Sequence, residues 1–102
     1  MHIDILKKIG ISDRDAVVYL ALLTLGPSSV RSLAESVGLN RGTTYDALRW
    51  LKERGLIDFY HKESRQMFVA HDPSRLEMIL NEHRLDVAEA AREMNKLIPE
   101  LQ

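Results

Sequence analysis

The residues of this sequence whose types and spacing could do chemistry lie in the segment 41–49. Gly42, Asp46 and Arg49 would share one face of a helix, with Tyr45 beside them. The N-terminal half of this face is small and polar enough to approach the edges of DNA bases. The chemistry that this segment suits is therefore hydrogen bonding to another molecule.

Two helices joined by a tight turn are predicted to position this face. Ser29 is a typical N-cap of the first helix, Gly38 ends it, and Asn40 caps the second. The apolar positions of the first helix are Val30, Leu33, Ala34 and Val37. The second helix has a core face made of Thr44, Ala47, Leu48 and Leu51. Such a pair can set its second helix into the major groove of DNA, and an ordinary αα-hairpin is the alternative.

A β-hairpin is predicted directly after the second helix. Gly55 ends the helix, an apolar strand starts at Ile57, and residues 66–70 are rich in β-forming side chains. The polar turn between the strands carries Lys62 and Arg65, which suit contacts to phosphate groups. This arrangement predicts the wing of a winged helix, and an ordinary charged surface turn is the alternative.

Composition limits the possible functions. The 102 residues, 45% of them hydrophobic, suit one small domain plus an extension. The absence of cysteine excludes disulfides, thiolate catalysis and cysteine metal sites. The sequence has no membrane-spanning apolar run and no secretory pattern, so we expect a cytoplasmic protein.

Charge is distributed unevenly along the chain, although the net charge is only −1. Residues 31–70 carry seven cationic and five anionic side chains, whereas residues 71–102 carry four and seven. The basic share therefore falls on the helix pair and the hairpin. Few phosphates can be neutralised per chain, so we expect weak non-specific DNA affinity with a modest salt dependence.

The N-terminal part is predicted to be a scaffold. A short helix over residues 2–9 ends at Gly10, and Ser12 with Asp15 resembles a capping box. The next helix should be largely buried, with core residues Ala16, Val17, Tyr19, Leu20, Leu22, Leu23 and Leu25.

A long C-terminal helix is the second informative feature. Asp72 is a favourable cap, Pro73 a favourable first residue, and Pro99 is expected to fray or kink the end. An apolar stripe with heptad spacing predicts a dimer interface of Leu76, Leu80, His83, Val87, Ala90, Met94 and Leu97. A helix of about 25 residues would extend about 38 Å, too far to lie on so small a domain. We favour a second copy of the chain as its partner over an adjacent domain, and either parallel or antiparallel pairing remains open.

Three stretches of the sequence resemble the TrmB family of archaeal and bacterial transcriptional regulators: 11–27, 33–57 and 68–73. The second of them includes Tyr45-Asp46 and Gly55-Leu-Ile57. The resemblance implies a winged-helix regulator that binds palindromic promoter DNA as a dimer. It also assigns to the recognition helix Arg41, Thr43, Thr44, Tyr45 and Arg49.

The sequence departs from this family in three ways. Asn40 stands where a proline is common, and Gly42 stands where a polar side chain is usual. The C-terminal sugar-binding domain of the family is also absent from this sequence, so the resemblance does not imply that this chain senses a sugar. A fragment and a minimal member without an effector domain are both compatible with this difference.

These observations together predict a mainly α (α+β) protein with a winged helix-turn-helix over 1–71 and a dimerisation helix over 72–102. The expected function is a dimeric, sequence-specific regulator that binds double-stranded DNA. The alternative is a winged-helix module that binds another protein. The expected DNA contacts are Arg41, Gly42, Thr43, Thr44, Tyr45, Arg49, Lys62 and Arg65.

We predict no catalytic residue, cofactor, metal site or small-molecule effector. His83 and Asp86 lie one turn apart, and a dimer would double them into four candidate metal ligands. Packing of His83 in the heptad stripe is the favoured interpretation. Trp50, on the flank of the second helix, is expected to pack on the wing or on the partner's long helix.

Overall fold

The computed structural model describes residues 2–102. The helices of this part of the chain are α1 (Ile3–Lys8), α2 (Asp13–Leu25), α3 (Val30–Val37), α4 (Arg41–Glu53) and α5 (Leu76–Leu101). Strands β1 (Ile57–Lys62) and β2 (Arg65–Ala70) form an antiparallel pair between α4 and α5. The predicted mainly helical fold with a two-stranded wing and a long final helix is therefore confirmed.

Helix α2 lies at the centre of the core and packs against α1, α3, α4 and β2. Its cap is Ser12, whose hydroxyl accepts a hydrogen bond from the Asp15 amide at 3.2 Å. The carboxylate of Asp15 instead accepts from Arg14 Nε at 2.9 Å, so we see a cap without the predicted capping-box partner. Tyr19 is buried as expected, whereas Leu23 and Leu25 are exposed and were wrongly placed in the core.

The wing is a regular hairpin with a tight turn. Its register runs from Ile57 opposite Ala70 to Lys62 opposite Arg65, so only Glu63 and Ser64 form the turn. A further pairing joins Ser28 to Phe68, with N–H···O distances of 3.0 and 2.7 Å in the two directions. This pairing, which the sequence did not predict, fixes the wing against the loop that leads into α3.

A 3₁₀ turn over Pro73–Arg75 leads directly into α5. The Asp72 carboxylate accepts a hydrogen bond from the Ser74 amide at 2.8 Å, and hydrogen bonds from Ser74 hold the Asp72 pKa below its usual range. The helix then continues through Pro99 to Leu101, so this proline does not end it. Loss of one backbone hydrogen bond in the last turn leaves the preceding turns intact.

The first two turns of α5 attach it to the rest of the chain. Ile79 is only 5% exposed and joins the core, while Leu76 packs against its edge. The His83 ring lies against Gly10, where the β-carbon of any larger residue would approach His83 Nδ1 to 3.0 Å. Gly10 also has φ +97°, which disfavours any other residue there. Beyond this joint the helix projects away, and the molecule reaches 59 Å in its longest dimension.

The buried hydroxyl of Tyr19 has no hydrogen-bond partner among the described residues. We predict that Tyr19→Phe raises the free energy of unfolding by about 1 kcal/mol, because the cost of desolvating this hydroxyl is removed. Burial, and then the nearby Asp72 charge, raise the Tyr19 pKa. The stability due to neutral Tyr19 is complete below pH about 10 and falls as the pH rises through the folded-state pKa. The advantage of the Phe variant should therefore grow above pH 10.

Urea denaturation at pH 7 and at pH 10.5 measures both effects. Tyr60→Phe is the matched control, because Tyr60 is exposed and the change should alter stability by less than about 0.5 kcal/mol. A Tyr19→Phe variant less stable than the wild type by more than about 1 kcal/mol would show that the hydroxyl is satisfied.

Candidate nucleic-acid interface

Side-chain caps fix the start of both helices in the α3–α4 pair. The Ser29 hydroxyl accepts from the Ser32 amide at 3.2 Å, and the Asn40 side-chain oxygen accepts from the Thr43 amide at 2.7 Å. Gly38 ends α3 in the left-handed conformation, with φ +73°, which a glycine adopts without strain. The two predicted caps and the predicted helix end are therefore confirmed.

The exposed side of α4 forms what we call the recognition surface: Arg41, Gly42, Tyr45, Asp46 and Arg49. Tyr45 is 42% exposed, although it is a large aromatic residue. Arg49 Nη2 donates to Asp46 Oδ1 at 3.0 Å, so this face presents a guanidinium and a carboxylate side by side. Together they offer hydrogen-bond donors and acceptors of the kind that distinguish base pairs in the major groove.

Two threonines at the start of α4 have different environments. Thr43 is half-buried, whereas Thr44 is fully buried and donates its hydroxyl hydrogen to the Asn40 carbonyl at 2.9 Å. The assignment of Thr44 as a DNA contact is therefore wrong, because its side chain belongs to the core face of the helix. The helical period of the sequence predicts Thr44 on that core face, whereas the family resemblance implies a DNA contact.

Trp50 lies near the C-terminal end of α4. The Arg54 guanidinium carbon is 5.1 Å from the centre of its ring. Arg54 also pairs with Glu82 of α5 at 3.1 Å, and Trp50 and His83 line the same small recess. Trp50 therefore faces the long helix of its own chain, a position that was not among the two predicted for it, the wing and the partner's long helix.

The wing tip carries the two predicted cations. Lys62 and Arg65 are opposite one another at the end of the hairpin, and both are exposed. Near the base of the hairpin, Lys52 Nζ lies 5.3 Å from the centre of the Phe59 ring. The wing thus presents cationic side chains beyond the end of α4, which suits contacts to flanking phosphates.

An arginine that the sequence pattern did not single out completes this region. Arg31, from the first turn of α3, lines a cleft of about 640 Å³ together with Arg41 and Arg65. The sequence motifs that predict DNA contacts lie on α4 and the wing, so they do not indicate a residue of α3. The one sequence feature that could have indicated Arg31 is its position in the first turn of α3, just after the Ser29 cap.

The predicted dimer seam divides into two parts. Leu76 and His83 are half-buried against their own chain, and Ile79, which was not predicted, is the most buried residue of α5. The exposed members of the predicted seam are Leu80, Val87, Ala90, Met94 and Leu97. The seam available to a partner is therefore mainly the outer part of α5.

The described residues contain neither a candidate metal site nor a candidate membrane-spanning helix. Within 2–102, no group of three or more His, Asp or Glu side chains is arranged to hold a metal ion. In the same part of the chain, no helix is long and apolar enough to cross a membrane.

Comparison with known proteins identifies a family and a relative in sequence. Residues 6–74 match the family described as the sugar-specific transcriptional regulator TrmB. The HTH-type sugar sensing transcriptional regulator TrmBL1 of Pyrococcus furiosus is 29% identical over 96 residues. The aligned region covers 94% of this chain and 27% of TrmBL1.

Solved structures show the same fold. The archaeal chromatin protein TrmBL2 matches with a TM-score of 0.74 and 23% identity, over 97% of this chain and 38% of the TrmBL2 chain. A homodimeric winged helix-turn-helix DNA-binding domain from Mycobacterium bovis matches with a TM-score of 0.56 and 22% identity, over 88% of this chain and 79% of that one. The chain thus spans well under half the length of TrmBL1 and TrmBL2.

The different roles of the two threonines can be tested by stability alone. Thr44→Val should lower the free energy of unfolding by about 1 kcal/mol, because a hydrogen bond to the Asn40 carbonyl is lost at constant shape. Thr43→Val is the matched control and should change it by less than about 0.5 kcal/mol. Thermal and urea denaturation measure both. Equal losses in the two variants would contradict the burial difference.

Proposed function

Because the chain belongs to the TrmB family of transcriptional regulators, we propose that it binds double-stranded DNA sequence-specifically as a homodimer. The observation that carries this proposal is the recognition surface of α4. It is exposed and bears two arginines, while the opposite face of the same helix is fully buried. A helix held in this way can enter the major groove without rearrangement of the chain.

The surroundings of α4 support a nucleic acid as the partner. The wing tip adds Lys62 and Arg65, and α3 adds Arg31, so cations flank the recognition surface on two sides. The excess of acidic side chains lies on residues 71–102 instead. A chain with net charge −1 thereby presents a locally basic face, which is the feature that attracts the phosphate backbone.

The outer part of α5 supports a second copy of the chain as the dimer partner. We define the distal stripe as the exposed residues Val87, Ala90, Met94, Leu97 and Leu101. These apolar side chains recur at intervals of three and four residues, the spacing that a coiled coil buries. A dimer links two recognition helices, which a palindromic site requires, and the related domain from Mycobacterium bovis is itself a homodimer.

Separate substitutions test base contacts and phosphate contacts. Arg49→Ala should weaken binding to a duplex selected from a random library by about 1–3 kcal/mol and relax discrimination at one position of each half-site. Lys62→Ala should weaken selected and random duplexes alike and reduce the salt dependence. Fluorescence anisotropy across a range of salt concentrations measures both.

Equal affinity of the wild type for selected and random duplexes at every salt concentration would overturn sequence-specific binding. Binding to neither duplex would favour the alternative, a module that docks on another protein.

Aspartates in the distal stripe should dissociate the dimer. The double substitution Val87→Asp and Met94→Asp buries four carboxylates in the paired helices, so we expect monomers and loss of tight DNA binding. Leu85→Asp is the matched control: Leu85 is 71% exposed and lies on the opposite side of α5, so this variant should remain dimeric. Light scattering at micromolar concentration measures the mass. A monomeric wild type under these conditions would refute the dimer.

A further inference from the structure

Three arginines from three separate elements converge on one cleft beside the recognition surface. Arg31 comes from α3, Arg41 from the first residue of α4, and Arg65 from the start of β2. They are far apart in sequence, and only the fold brings them together. We propose that this cleft binds a phosphate of the DNA backbone, and this proposal rests on the function proposed above.

The chemistry of the cleft is that of an anion site. Besides the arginines and Val30, the residues that line it carry hydroxyl or amide groups: Ser29, Ser32, Ser64 and Gln66. Among its described lining residues none is acidic. Guanidinium groups together with neutral donors are the groups that proteins use to contact phosphate oxygens.

The backbone holds the two sides of the cleft in place. Ser28 exchanges two hydrogen bonds with Phe68, at 3.0 and 2.7 Å. Ser28 directly precedes the cap of α3, and Phe68 stands three residues after Arg65 on the same strand. The first turn of α3 and the wing therefore cannot separate without breaking this pairing. The backbone that carries the cleft is therefore already ordered, which limits the entropy lost on binding to that of the side chains.

One carboxylate competes for the cleft from just outside it. Glu35 Oε1 lies 3.5 Å from Arg31 Nε, one turn along α3, and both side chains are more than 70% exposed. Such an exposed pair contributes little to stability, so a phosphate can displace it. Glu35 therefore reduces the affinity of the cleft for anions without closing it.

The location of the cleft favours the DNA backbone over a base. The cleft meets α4 only at Arg41, its first residue, whereas the recognition surface extends along the helix to Arg49. A phosphate in the cleft would place its strand across the N-termini of α3 and α4 and beneath the wing tip. This contact fixes the position of α4 on the duplex and carries no sequence information.

Opposite changes in two variants test the proposal. In fluorescence anisotropy, Arg31→Gln should weaken selected and random duplexes by the same factor. It should also reduce the slope of log K against log salt by about 0.9 per half-site. Glu35→Gln should strengthen binding to both duplexes, because it releases Arg31. Arg92→Gln is the charge-matched control: Arg92 is exposed on the outer part of α5, and this variant should behave as the wild type.

Each remaining outcome has a defined meaning. Specific binding by the wild type with an unchanged salt slope in Arg31→Gln would overturn the cleft assignment and leave the proposed function standing. Failure of the wild type to bind any duplex would overturn both. If Arg31→Gln lost affinity for selected duplexes only, Arg31 would be a base contact, which would also overturn the cleft assignment.

Discussion

The burial of one face of α4 is the constraint on which the rest of the interface depends. Thr44, Ala47, Leu48 and Leu51 are all fully buried, so the rotation of α4 about its axis is fixed by the core. The recognition surface is what remains outside. A substitution in the core face would therefore disturb the position of every exposed side chain on the helix, even though it touches none of them.

The pairing of Ser28 with Phe68 is the second constraint. A two-stranded hairpin alone is only marginally stable in water, and its direction relative to the helices is free. Two backbone hydrogen bonds to the α2–α3 loop, together with burial of Phe68, remove that freedom. The wing backbone that carries the cations consequently has a fixed position relative to the α2–α3 loop.

The sequence was sufficient to predict the elements whose signals are local. The caps at Ser29 and Asn40 and the end of α3 at Gly38 each depend on a few neighbouring residues, and each is found as predicted. The hairpin is also found, although Lys62 and Arg65, which were predicted in its turn, pair with each other at the ends of the strands. The features that were missed depend on contacts between distant segments. The Ser28–Phe68 pairing leaves no periodic pattern, and the cleft at Arg31 exists only after three elements have packed. Thr44 shows the opposite error, since its local period was right and the family resemblance misplaced its role.

The first turns of α5 are attached to the core and its outer turns are not. The stability of the helix must therefore differ along its length. Ile79 and His83 tie the first turns to the core, whereas every residue from Arg84 to Gln102 is exposed. Most of the stability of a helix in a protein comes from packing of its apolar face, and these outer turns have no such packing within a single chain. In a single chain, the amide hydrogens of the outer turns should therefore exchange with solvent far faster than those near Ile79. If pairing protects these turns, folding of the outer helix and association are a single equilibrium, and helix content becomes a function of protein concentration.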